Sequence, residues 1–269
     1  MPELPEVETT MRGIEPYVRG QIINQFIVRN NQLRWPVATE TADLNGKRIK
    51  DLSRRGKYIL MRLDDGTLIW HLGMSGSMKI QPLGSPIEKH EHIEVILASG
   101  QTLRYRDPRR FGALLYTASE PLLHPLLEKL GPEPLSAEFN TDYLYATCRK
   151  RSAAIKSVIM DSHRVVGVGN IYASEALFSA GINPARSAGG ISKKRLDRLV
   201  HAIKQTLQAA ILQGGTTLQD FTQVDGSPGY FRQQLNVYGI KGPCPVCAKP
   251  VKKMIQAQRS TYFCSKCQT

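Results

Sequence analysis

The sequence predicts an α+β chain of several domains, and three observations carry that expectation. Through the first half, apolar residues alternate in short segments between turn signals, the pattern of antiparallel strands. Past Gly131-Pro132-Glu133-Pro134 the apolar spacing changes to the helical period, so a linker is expected there. The C-terminal segment carries two Cys-x-x-Cys pairs. We expect residues 1–131 to form a β-sandwich or flattened barrel with flanking helices, residues 132–240 a helical domain, and residues 241–269 a cysteine-held hairpin.

The elements follow in order. Leu4, Val7, Met11 and Ile14 recur at helical spacing, so a helix begins near residue 3, and the acids of its first turn suit the helix dipole. Residues 21–30 read as a strand, followed by a loop at Leu33-Arg34-Trp35-Pro36. Segments 57–63 and 67–74 flank Asp64-Asp65-Gly66, and 93–97 and 101–105 flank Ala98-Ser99-Gly100, both hairpin signals. A third pair is expected between 77–81 and 113–117. Helices are expected over 136–149, 152–161, 170–180 and 192–213, the last stopped by Gly214-Gly215. Residues 215–230 are too long and polar for a tight connection and read as a mobile loop of the kind that closes over ligands.

Composition narrows the function. The 269 residues suffice for a substantial core, and 36 Lys plus Arg against 23 Asp plus Glu give +13, a balance that calls for a polyanionic partner, nucleic acid first. There is no long apolar run and no basic-then-apolar N-terminus, so neither a membrane span nor secretion is supported and a cytoplasmic location is expected. The positive charge is spread over several segments, which argues against a membrane-surface helix.

Cys244, Cys247, Cys264 and Cys267 form two knuckles sixteen residues apart, the spacing of a tetrahedral four-thiolate zinc site. Four cysteines leave no open coordination position, so the metal is structural. Disulfides are disfavoured in a reducing compartment, and a redox pair does not come twice without a βαβ context. Lys249, Lys252, Lys253 and Arg259 give the hairpin a cationic surface. Cys148 is left to pack in its helix.

Other segments leave two readings open. The glycines of Val166-Gly167-Val168-Gly169-Asn170 let backbone approach a phosphate, with Asn170 capping the next helix, but such turns also join helices that bind nothing. Lys156 and Arg149-Lys150-Arg151 add charge beside it, or form a solvated face. In Asp107-Pro108-Arg109-Arg110-Phe111-Gly112, Phe111 beside Arg109 is either a stacking device or the first core residue of the next strand. His71-Leu72-Gly73-Met74-Ser75-Gly76 places a flexible apolar Met74 between glycines. His71, His90 and His92 have no partners at metal-ligand spacing and read as polar or phosphate-contacting groups.

The N-terminus is the last candidate. Initiator methionine is generally trimmed before a small residue, and loss of Met1 leaves Pro2 with a secondary amine. A model α-amino group has a pKa of roughly 7.7–8.0 against about 10.4 for lysine, so much more of it is neutral and nucleophilic. Attack on an aldehyde-like carbon gives an iminium, an electron sink, with Glu3 and Glu6 as candidate proton carriers. The alternative is a frayed terminus leading into an ordinary helix.

Taken together, Pro2-Glu3-Leu4-Pro5-Glu6-Val7-Glu8, Arg54-Arg55-Gly56-Lys57-Tyr58, the 71–76 and 107–112 segments, Gly167-Val168-Gly169-Asn170-Ile171-Tyr172 and the four-cysteine hairpin with Arg259 resemble the formamidopyrimidine-DNA glycosylase family of bacterial base-excision repair enzymes, over essentially the full chain. The resemblance implies a β-sandwich, a helix-two-turn-helix domain and a zinc finger gripping duplex DNA. It implies that an oxidised purine such as 8-oxoguanine is flipped out and its sugar attacked by Pro2. Glu3 would be the general acid, Lys57 would serve β-elimination and Arg259 δ-elimination. Met74, Arg109 and Phe111 would fill the vacated space, while His71, His90, Lys150, Arg151, Lys156 and Asn170 would contact DNA. The partner expected is damaged double-stranded DNA, met by a monomer with one structural zinc and no small-molecule cofactor. Ala248 stands where many relatives are expected to have glycine, which bears on that turn alone. The related endonuclease VIII, acting on oxidised pyrimidines, typically opens Pro-Glu-Gly-Pro-Glu, and Leu4 and Phe111 argue against it. A non-catalytic zinc-finger DNA-binding protein is the alternative from another class.

Overall fold

The computed structural model describes residues 2–38, 41, 43–216 and 231–269. They fall into two compact units, one of residues 1–128 with 213–230, the other of residues 129–212 with 231–269.

The first unit opens with α1 (Leu4–Val18), whose Leu4, Val7, Met11, Ile14 and Val18 form the buried stripe that the helical spacing predicts. Among the described residues eight strands follow: β1 (Ile23–Val28), β2 (Asp51–Arg55), β3 (Tyr58–Arg62), β4 (Thr67–His71), β5 (Ser77–Pro82), β6 (Glu91–Leu97), β7 (Gln101–Arg106) and β8 (Ala113–Thr117). They form two antiparallel sheets ordered β1-β6-β7-β5 and β2-β3-β4-β8. Helix α1 packs on β2 and β3 of one sheet and on β5 and β7 of the other. Val7, Met11, Ile14 and Val18 of this stripe share one core with Trp70, Tyr105, Met61 and Leu114.

The β3–β4 and β6–β7 hairpins form across the turns expected for them. The third expected pair does not: 77–81 (β5) pairs with β7, and 113–117 (β8) pairs with β4. The physical reason is that the connections 72–76 and 107–112 each cross from one sheet to the other, and periodicity marks a strand without naming its neighbour. Strand β2 also goes beyond the expected elements, because Asp-Leu-Ser-Arg-Arg offers one buried apolar side chain. A two-residue turn, Gly56-Lys57, joins it to β3, with φ +59 at Gly56, the first central position where a type II′ turn needs a positive angle.

The second unit holds α2 (Thr141–Cys148), α3 (Ile155–Met160), α4 (Asn170–Ser179), α5 (Lys193–Leu212) and the hairpin β9 (Lys252–Gln256) and β10 (Arg259–Phe263). Helix α2 starts later than the expected residue 136 because the Asn140 side chain accepts the Tyr143 N–H at 2.9 Å and caps it there. Cys148 packs as expected, and burial pushes its thiol up to about 11. The cysteine hairpin closes a small core of its own, in which Cys244 and Cys264 pack with Phe178 of α4 and with Val237. Among the described residues no helix is long and apolar enough to cross a membrane.

Ala248, the one departure from the expected pattern, sits at φ +59, where a Cβ is strained and glycine is not. Ala248→Gly should therefore raise zinc affinity roughly fivefold, about 1 kcal/mol, because folding of the hairpin and metal binding are one process. Competition with a chromogenic chelator measures it; an unchanged or weaker affinity would show that the turn carries no strain.

Candidate functional site

The segment that sequence alone leaves open as a frayed terminus is a fixed part of the first unit: Pro2 through Glu8 are all buried. Glu3 is the N-cap of α1 and shares a capping box with Glu6, in which the Glu6 Oε2 accepts the Glu3 N–H at 2.8 Å. Glu6 Oε1 accepts the Thr216 N–H at 2.7 Å, joining a distant stretch of chain to the helix start. With a backbone donor on each oxygen, Glu6 is a brace, which corrects its reading as a proton carrier. Glu3, directly after Pro2, is 2% exposed.

One end of the β2-β3-β4-β8 sheet collects the other candidates of this unit. Arg55 pairs with Tyr58, Tyr58 with His71 and His71 with Ala113, so the turn carrying Lys57, the start of the 72–76 loop and the end of the 107–112 loop share one end of the sheet. His71 packs against Tyr58 with its ring tilted 49° to the phenol ring, at 4.9 Å between ring centroids. Burial first, then the Lys57 and Arg34 cations, bring its pKa down to about 4, so the ring is neutral near pH 7. Its Nδ1 accepts the Gly73 N–H at 3.1 Å, which leaves the proton on Nε2 as a donor.

The two loops are locked to each other through Asp107, which is fully buried. Its Oδ1 accepts the Ser75 hydroxyl at 2.6 Å, and its Oδ2 accepts the Gly112 N–H at 2.8 Å and the Tyr105 hydroxyl at 3.1 Å. Ser75 Oγ in turn accepts the Arg109 N–H at 3.1 Å. Gly73, at φ +67, lies against the backbone of Phe111 and Gly112, where any Cβ would collide. On this footing Phe111 is 46% exposed, which excludes its reading as a core residue, and the Arg109 guanidinium lies 5.1 Å from its ring centroid. Met74 is half-buried on the facing loop. His90 stands at φ +73 and half-buried, while His92 is buried and bonded to the Asp107 carbonyl at 2.8 Å, a structural role.

In the second unit, Lys156 is 2% exposed and its ammonium donates to Asn170 Oδ1 and to Thr261 Oγ1, each at 2.6 Å. Asn170 Nδ2 donates to the Ser260 carbonyl at 2.9 Å and to the Tyr238 hydroxyl at 3.2 Å. Asn170 therefore does not cap α4 as expected; Gly169 holds the cap position and the Asn170 side chain joins α4 to the hairpin. Lys150, exposed at φ +58, follows α2, and Arg151 Nε donates to the Thr147 carbonyl at 2.5 Å. Arg259 is exposed where β10 begins, directly after the Ala257-Gln258 turn. The four Sγ atoms of Cys244, Cys247, Cys264 and Cys267 lie within 4.8 Å of one another, with Cys244 to Cys267 at 3.8 Å and Cys247 to Cys264 at 3.4 Å. A tetrahedron with Zn–S of about 2.3 Å has edges of about 3.8 Å, so the donor set fits one structural zinc ion. The expected covering loop lies, beyond Thr216, outside the described residues, as does Met1.

Comparison with known proteins agrees over the whole chain. The family models described as formamidopyrimidine-DNA glycosylase N-terminal domain, formamidopyrimidine-DNA glycosylase H2TH domain and zinc finger found in FPG and IleRS match residues 1–114, 130–222 and 241–269. Proteins of Thioalkalivibrio sulfidiphilus and Teredinibacter turnerae named formamidopyrimidine-DNA glycosylase are 54% and 55% identical, each match covering 100% of both chains. The chain belongs to the formamidopyrimidine-DNA glycosylase family. Among solved members, its fold is similar to the MutM (Fpg) protein of Thermus thermophilus, with TM-score 0.90, 39% identity and coverage of 99% of this chain and 98% of that one. It is similar also to Lactococcus lactis Fpg in complex with abasic-site DNA, with TM-score 0.92, 34% identity and 99% of each chain covered.

Sequence reasoning missed the residues that hold these groups in place. Asp107 reads from the sequence only as a loop residue, although an acid following a strand and preceding Pro108 is a common turn former. Glu175, 2% exposed, accepts the Asn236, Val237 and Tyr238 N–H groups at 2.8, 3.0 and 2.8 Å; its signal is a lone acid in the apolar run of α4.

Glu6→Gln should cost about 1–3 kcal/mol, because an amide NH₂ must face one of two backbone donors. Amide exchange at residues 3–8 should rise in step. Wild-type exchange there would contradict the brace.

Proposed function

We propose that this protein is a bifunctional DNA glycosylase and AP lyase of base-excision repair that removes oxidised purines, 8-oxoguanine and formamidopyrimidines, from duplex DNA. The observation that carries this reading is the buried, braced N-terminus: a helix start held by Glu6 presents the residue whose amine would react, with a buried carboxyl next to it. Relatives support it, since a mutant of Lactococcus lactis Fpg has been crystallised with Fapy-dG DNA and Lactococcus lactis Fpg with abasic-site DNA. Division into a β-sandwich (1–131), a helix-two-turn-helix region (132–240) and a zinc finger (241–269) accords with it.

In this mechanism Met1 is removed and the neutral Pro2 amine attacks C1′ of the flipped nucleotide, forming an N–C1′ bond as the base departs. Glu3 is the general acid for displacement of the base and for opening of the sugar, and the resulting iminium carries positive charge without protonation. That charge draws electrons from C2′, so a proton leaves C2′ and the 3′ phosphate departs; Lys57 serves this β-elimination and Arg259 the δ-elimination that follows. Neutral His71, with its proton on Nε2, is a hydrogen-bond donor for a phosphate oxygen. Met74, Arg109 and Phe111 occupy the space the base vacates, at a cost in unstacking of a few kcal/mol met by contacts elsewhere. His90, Lys150, Arg151, Lys156 and Asn170 hold the backbone, Lys156 through the Asn170 side chain it supports. Zinc, bound by the four cysteines, keeps the hairpin folded. The working species is a monomer in the bacterial cytoplasm, without a small-molecule cofactor.

Retaining Met1, or adding an N-terminal tag, converts the Pro2 nitrogen into an amide. Base excision and borohydride trapping on 8-oxoguanine duplex should both disappear while binding to that duplex stays within about threefold, about 0.6 kcal/mol. Trapping by the blocked protein would refute Pro2 as the nucleophile, and an unblocked protein that binds but never cleaves would favour a non-catalytic DNA-binding role. Glu3→Gln should leave damaged bases attached and still cut a pre-formed abasic site, which already carries its aldehyde. Loss of both activities would count against a separate acid.

A further inference from the structure

The Arg54-Arg55-Gly56-Lys57-Tyr58 segment contains a guanidinium that the proposed chemistry does not use. The Arg54 side chain, 10% exposed, reaches in two directions: Nε donates to Glu8 Oε2 at 2.7 Å, and Nη1 donates to the Gly56 carbonyl at 2.9 Å. Glu8 is itself largely buried, and its other oxygen accepts Arg12 Nε at 2.7 Å. These two acceptors belong to different parts of the proposed reaction. Glu8 lies in the first turns of α1, the helix that begins beside Pro2. The Gly56 carbonyl belongs to the peptide plane that ends in the Lys57 nitrogen, and that plane is rigid. Holding the carbonyl therefore fixes the direction in which the Lys57 side chain leaves the turn. At φ +59, Gly56 has the freedom that the tether removes. The planar fork makes the link, since Nε and Nη1 hold two acceptors in fixed relative directions, whereas a lysine's N–H donors all sit on one nitrogen at the end of a flexible stem and do not reproduce that spacing.

We infer that Arg54 is a positioning residue for strand cleavage, fixing Lys57 relative to the Pro2 amine by clamping the β2–β3 turn to α1. This rests on the roles proposed for Pro2 and Lys57. A displacement of the order of 1 Å in a proton-transferring group costs up to about a hundredfold in rate. The nucleophilic step does not pass through Lys57, so the clamp acts on elimination more than on formation of the covalent adduct.

The test uses DNA with a pre-formed abasic site and measures borohydride trapping and strand cleavage separately, for wild type, Arg54→Lys, Glu8→Gln, Lys57→Ala and the Arg54→Lys/Lys57→Ala double variant. Arg54→Lys keeps the buried positive charge beside Glu8, and Glu8→Gln gives a second route to the clamp should that variant not fold. Cleavage should fall about ten- to hundredfold in Arg54→Lys, with trapping reduced several-fold less, and the double variant should cleave no more slowly than Lys57→Ala alone. Glu8→Gln should show the same split, more weakly. Equal losses in trapping and cleavage, losses that multiply in the double variant, or full cleavage by Arg54→Lys would overturn the inference. If wild type itself neither traps nor cleaves, the proposed function fails. The clamp then stands or falls on amide exchange at Lys57 and Tyr58, which should rise in Arg54→Lys and would refute it if unchanged.

Discussion

The Glu6 carboxylate accepts one backbone N–H from Glu3 and another from Thr216, and that pair of bonds turns a chain terminus into a fixed site. Ordering the first residues of a chain opposes backbone entropy of about 1–2 kcal/mol per residue, so a buried terminus needs specific partners. Here Leu4 and Val7 supply burial in the core of the first unit, and Glu6 supplies the direction. The same carboxylate leaves little room beside Gly215, where an added Cβ would lie 3.0 Å from Glu6 Oε1. A free amine next to an acid is commonplace in a frayed segment. Held in one place, such an amine suits the nucleophilic role proposed for Pro2.

The second constraint is topological. The connections 72–76 and 107–112 both pass between the two sheets at the same end, and Asp107 with Ser75 binds them together. A side chain on either loop is thus supported by both sheets, which is how Phe111 stays exposed on a rigid base. Arg54 extends the same logic to the neighbouring turn. In the second unit the Lys156–Asn170–Thr261 bonds join α3, α4 and the zinc hairpin, and Glu175 fixes the chain entering it, so the finger is held by polar bonds as well as by Phe178 and Val237.

The candidate residues themselves are largely legible in the sequence: proline behind the initiator methionine, Lys57 in its turn, Phe111 beside Arg109 and the paired cysteines are local signals. Helix α1 and two hairpins are legible for the same reason, since period and turn chemistry act over a few residues. The β5–β7 and β4–β8 pairings are not, because pairing is decided by which loops cross between sheets. Neither are the long-range partners of Glu6, Glu175 and Asp107. A carboxylate in a helix or loop reads the same whether it faces solvent or a backbone N–H two hundred residues away. Ala248 is the intermediate case, a turn residue whose oddity is visible in the sequence while its positive φ is not.

The nitrogen that carries the sugar distinguishes Pro2 from Lys57 as the nucleophile. Peptide mapping by mass spectrometry of the borohydride-reduced adduct with abasic-site DNA locates it directly. The sugar remnant is predicted on the N-terminal peptide, on the nitrogen of a Pro2 that has lost Met1. A remnant on the peptide containing Lys57, with the Pro2 peptide unmodified, would contradict the account.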